Sequence, residues 1–156
     1  MKTPILSSIF YVLFCVSVFS QGAQKLDEFE NIPCDEYLAR MDYAMNEAEK
    51  NSSSTVYIFI YEGKEMKYND RKKKSELVFP GYGSAKEKIR SIKKYMWLRN
   101  FSVKKIKFVE AGFRDNSTVE IWLVPVDASQ PKPNPTLKKM RYRKGKPTGF
   151  CWWCCG

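Results

Sequence analysis

The sequence predicts an α+β two-layer sandwich in the order β-α-β-α-β-β, with a mixed sheet and two helices on one face. Two stretches repeat their apolar residues at helical spacing: Leu38, Met41, Met45 and Ala48, then Ala85, Ile89, Ile92 and Met96. Between them "TVYIFIY", residues 55–61, is β-branched and aromatic throughout, the pattern of a central strand covered on both faces. After the second helix, "VKKIKFVEAGF" alternates apolar and basic residues, and "TVEIWLVPV" reads as a further strand.

Each element has its punctuation. A short extended stretch around Phe29–Ile32 leads to Pro33, and Asp35 and Glu36 follow in the first turn of a helix, where they suit the positive end of its dipole. "NSSS" ends that helix. Residues 62–83 show no period and end in Pro and Gly, so they are expected to be a long exposed loop. Ser84 with Glu87 has capping-box spacing at the start of the second helix. "RDNS" is read as the turn of a closing hairpin, and Pro125 ends the last strand.

Residues 1–23 have the order of a secretory signal peptide: Lys2, an apolar run from Ile5 to Phe19, then small and polar residues. The run is short for a membrane span of roughly 20 residues; the alternative is an uncleaved anchor. An exported chain is expected, in the periplasm, cell envelope or extracellular space, with no membrane span after signal cleavage. The folded domain is expected over residues 25–127. Residues 128–156 form a Pro-rich basic tail that ends in "CWWCCG". Of the net charge of +10, little belongs to the domain: residues 21–127 hold nineteen basic and seventeen acidic groups, whereas seven basic groups and no acid follow Asp127.

In an oxidising compartment, Cys34, Cys151, Cys154 and Cys155 are disulfide candidates. A bond from Cys34 to a tail cysteine would pin the tail to the domain. The alternatives are a four-cysteine zinc site, for which "CWWCC" has only one suitably spaced pair, and a C-x-x-C redox pair with no helix behind it. No metal and no cofactor is expected.

The path from "DEYLARMDYAMNEAEKNSSSTVYIFIYEGKE" through "GSAKEKIRSIKKYMWLRNFSVKKIKFVEAG" to "STVEIWLVP" resembles the OmpA-like, peptidoglycan-associating domain, in its divergent, short, secreted bacterial members. The matching features are Ala85–Met96, Ile106–Gly112 and Val119–Ile121. The resemblance implies the same fold and a site for the diaminopimelate of peptidoglycan, held by an aspartate after the second strand and an arginine early in the second helix. Such a ligand is zwitterionic, so both signs of charge are needed. Here Met66 falls at the aspartate position, with Glu65 the nearest carboxylate. Lys88 falls at the arginine position, with Arg90 beyond it. Ser117 and Thr118 stand in place of paired arginines in the final strand. The implied site is therefore degenerate, and the plain alternative for Glu65, Lys88 and Arg90 is solvated loop and helix charge.

Catalysis is not expected, because the chain has no histidine and neither a G-x-S-x-G nor a P-loop motif. Asn51, Asn100 and Asn116 begin N-x-[ST] triplets that a eukaryotic host could glycosylate. "RKKK" at 71–74 reads as a solvated loop or an anion contact. Two readings follow. One is a non-catalytic envelope domain whose partner is peptidoglycan or another envelope component. The other is binding to a polyanion or membrane surface through the tail, where Lys138, Lys139, Arg141 and Arg143 are interleaved with aromatics that include Trp152 and Trp153. Nucleic acid is not an expected partner of an exported chain.

Overall fold

The computed structural model describes residues 22–147. All but the last two residues of the expected signal peptide, together with Cys151, Trp152, Trp153, Cys154 and Cys155, lie outside the described residues.

The elements are β1 (Gln24–Phe29), α1 (Cys34–Lys50), β2 (Ser54–Asn69), β3 (Lys74–Val78), α2 (Ser84–Leu98), a 3-10 turn (Val103–Lys105), β4 (Ile106–Asn116) and β5 (Thr118–Pro125). The α+β sandwich is present, and its sheet is mixed. Strand β1 pairs antiparallel with β5, β5 pairs antiparallel with β2, and β2 pairs parallel with β4. The alternation of β2 divides the core. Val56, Ile58 and Ile60 face the buried stripes of both helices, Tyr37, Met41, Ala44, Met45 and Ala48 from α1 and Ala85, Ile92 and Met96 from α2. Tyr57, Phe59 and Tyr61 face the other way, with Ala111 and Val124. A strand buried on both sides is what its unbroken apolar run calls for.

Three local expectations are corrected. Residues 62–83 are not one loop: β2 runs on to Asn69 and returns as β3, with Met66 opposite Leu77 and Asn69 opposite Lys74. The last two strands do not form a hairpin with each other. They flank β2 on opposite edges, and the chain crosses β2 between Asn116 and Thr118. Gly63 lies under that crossing, where an added Cβ would collide with the Asn116 carbonyl and the Ser117 nitrogen. Finally, the capping box does not form. The residue before α2 is Gly83, in the left-handed region at φ 79°, and no side chain of the helix caps its end.

The segment after Asp127 is extended, as its prolines require, and it is seated on the domain. Asn134 N donates to the Tyr61 hydroxyl at 3.0 Å, and the backbone N–H groups of Thr136 and Leu137 both donate to the Phe113 carbonyl. Arg143 N donates to the Pro80 carbonyl at 3.0 Å. An added Cβ on Gly81 would come within 2.6 Å of Pro147. The strap thus covers part of the sheet face opposite the helices and ends beside α2.

Candidate functional site

A buried charge cluster lies where β2 passes the start of α2. Gly63 allows the crossing strand to approach, and this sets Ser117 against Lys88, whose ammonium donates to the Ser117 hydroxyl. Glu62 and Glu65 flank the same lysine; all three charged residues are less than a tenth exposed. Glu65 accepts from the Ser84 hydroxyl at 2.6 Å. Glu62 accepts from the Ala85 backbone N–H at 2.9 Å and from the Tyr142 hydroxyl. The missing helix cap is therefore supplied from β2, where the Glu62 carboxylate meets the orphan donors and positive dipole end of α2. Burial pushes the Lys88 ammonium below its ordinary range, against the pull of Glu65 and then Glu62. Burial and the facing Glu62 carboxylate push the Tyr142 hydroxyl up.

An acid and a base thus converge beside Gly63, and they are the sequence-derived pair Glu65 and Lys88, joined by Glu62. They face each other rather than solvent. Arg90 is not with them; it is exposed and pairs with Glu87 on its own helix at 2.9 Å.

Next to this cluster a cavity of about 300 Å³ opens between the parallel strands and the start of α2. Glu62 lies at its inner end, Glu110 and Lys86 contribute exposed charges, and Tyr82 and Tyr142 form an aromatic wall with ring centroids 5.3 Å apart. Both carboxylates, the lysine and the two phenols surround a space that suits a small ligand carrying a cationic and an anionic group. Glu110 and Lys86 were not singled out from sequence. Glu110 lies within the alternating strand and Lys86 two residues before Lys88, so the signal was their position in the fold rather than any motif.

A second network sits on the opposite sheet face. Arg114 reaches Glu120 at 2.6 Å and Glu28 at 2.7 Å, and its guanidinium lies 3.7 Å from the Tyr61 ring centroid. Glu120 also accepts from the Trp122 indole N–H at 3.0 Å. Burial alone would raise the Glu120 carboxyl, but Trp122 and Arg114 hold it below the usual carboxylate range. Arg114 also donates to the Asn134 carbonyl, so this network clamps the strap.

Of the tail cations, Arg143 lies against the β2–β3 hairpin and Arg141 lies 5.5 Å from the Phe79 ring, while Lys138 and Lys139 are exposed. Cys34 is the first residue of α1 and is engaged. Asn51 donates its side-chain amide to Glu47 and Asn116 to Glu30, whereas Asn100 is exposed. Among the described residues no group of three or more His, Cys, Asp or Glu side chains is gathered as a metal would require. No described helix is long and apolar enough to cross a membrane. No protein-family profile, curated protein or solved structure matches the chain.

Proposed function

We propose that this chain is a non-catalytic, exported ligand-binding domain of the cell envelope, with a zwitterionic peptidoglycan stem-peptide group as its ligand. The observation that carries the reading is the cavity at the start of α2, which offers carboxylates to an ammonium and Lys86 to a carboxylate. The OmpA-like motifs and the α+β order support the same class. The binding groups differ from those the resemblance implies. Glu65 and Lys88 are turned inward and hold the strand crossing and helix start together, so the ligand is met by Glu62, Lys86 and Glu110 at the cavity wall. The absence of histidine and the structural hydrogen bonds that occupy the buried charges favour binding over turnover.

The test is co-sedimentation with purified peptidoglycan. Lys86→Ala and Glu110→Gln alter exposed side chains and leave the buried cluster intact, so the variants should fold and should sediment with peptidoglycan at least tenfold more weakly. Retention equal to the parent rejects the cavity as the site.

A further inference from the structure

We infer that the β2–β3 hairpin is a docking arm for an anionic lipid surface. From Glu65 onward β2 pairs with β3 alone, so this part of the ribbon extends past the rest of the sheet. Side chains alternate across such a ribbon. One face carries Met66 and Tyr68, with Leu77 directly opposite Met66; they are 48%, 53% and 52% exposed. Large apolar side chains on a solvated hairpin need a reason, because the ordinary way to protect an exposed ribbon is to make it polar.

The rest of the arm is cationic. Lys64, Lys67, Arg71, Lys72, Lys73 and Lys74 are all exposed. Half-buried Glu76 draws in Lys72 at 2.9 Å and Lys74 at 3.6 Å, and Asp70 is an exposed carboxylate near the tip. Along the hairpin, a cleft of about 450 Å³ whose lining also includes Asp70 and Glu76 brings Arg143 from the strap beside Lys67 and Arg71. The fold therefore joins two basic segments that are some 70 residues apart in sequence into one positive surface.

The combination selects the partner. A soluble polyanion is attracted by the cations but gains little from Met66 and Leu77. A bilayer rich in acidic headgroups uses both, because cations are drawn to its surface while apolar side chains enter the boundary between headgroup and acyl chain. Each lysine near such a surface is worth roughly fivefold in partitioning. This arm is separate from the cavity at α2, and neither needs the other.

The experiment is vesicle co-sedimentation of the chain from Gly22 onward, with phosphatidylcholine vesicles and with vesicles that also contain phosphatidylglycerol. The parent should bind only the anionic vesicles and release as salt rises. Met66→Ser/Leu77→Ser should weaken that binding about tenfold while leaving retention on immobilised heparin unchanged. Lys72→Gln/Lys73→Gln should weaken both. Leu77→Ser alone gives an independent reading with the smallest change to the ribbon, and amide spectra confirm that each variant is folded. Equal vesicle binding by the parent and the serine variants overturns the inference, as does failure of the parent to bind anionic vesicles. A self-association of the parent that the serine variants abolish, without vesicle binding, also overturns it and assigns the apolar face to a second copy.

Discussion

Replacing Lys88 with methionine tests how the buried cluster is held. The lysine is 8% exposed, and Glu62 and Glu65 beside it are each 7% exposed. Methionine keeps most of the packing volume and removes the ammonium. Glu65 then retains the Ser84 hydroxyl, and Glu62 retains Ala85 N and Tyr142, but neither buried carboxylate keeps a countercharge. Lys88 is in hydrogen-bond contact with Ser117 and acts on the two carboxylates through space, so leaving them without that buried countercharge costs up to about 3–5 kcal/mol, a large part of the 5–15 kcal/mol that stabilises a typical domain. Equilibrium urea unfolding should show the loss as a lower midpoint with an unchanged slope. The double variant Lys88→Met/Glu65→Gln should recover about 1–3 kcal/mol of it, since one buried charge is then removed. A cost below about 1 kcal/mol for Lys88→Met, with no recovery in the double variant, would refute the claim that the lysine serves as countercharge.

Three other outcomes follow from the same geometry. Gly63→Ala places a methyl group against the Asn116–Ser117 backbone, which cannot move without breaking the strand crossing; the variant should lose several kcal/mol or fail to accumulate folded, as read by thermal unfolding. The depressed carboxyls of Glu120 and Glu28 contribute stability that is present above their unfolded value near 4.5 and is lost as pH falls through their lower folded values. Glu120→Gln should therefore flatten the stability-against-pH curve below about pH 4.5, where the parent's curve falls. Truncation after Val126 removes the strap from Tyr61 and Phe113, and should lower the urea midpoint and increase binding of a hydrophobic dye. Its effect on ligand binding would therefore mix lost cations with a damaged fold, and charge-neutralising substitutions are the cleaner test of the tail.

Both helices were legible because their burial is periodic, and the central and closing strands because their β-branched and aromatic runs mark segments that are largely covered. Helical spacing puts Leu38 in the α1 stripe, yet it is half-buried, while Tyr37 and Ala44 are buried with Met41 and Met45. The β2–β3 hairpin was hidden because past Glu65 most of its side chains meet solvent, so the short alternation of Met66 and Tyr68 marks no buried face and is outweighed by the charges around it. Strap docking was hidden for a different reason. Most of its anchors are backbone groups of Asn134, Thr136, Leu137 and Arg143, which carry no side-chain pattern, while Tyr142 adds a side-chain bond to Glu62; prolines read as linker whether or not something lies beneath them. The capping box misled because Ser84 and Glu87 have the right spacing, yet Ser84 lies inside the first turn and gives its hydroxyl to Glu65. Arg114 and Glu120 left one faint trace, a carboxylate in an apolar strand. Their pairing depends on the crossing of β2, which no local motif encodes.

The most direct measurement is an amide NMR titration of the chain from Gly22 onward with a soluble, diaminopimelate-containing muropeptide. The account predicts saturable shifts centred on Gly83, Ala85, Lys86, Glu110 and Gly112, with little change in the hairpin from Met66 to Leu77, and loss of those shifts in the Glu110→Gln variant. Shifts confined to the hairpin and strap, or no saturable shift at all, would contradict it.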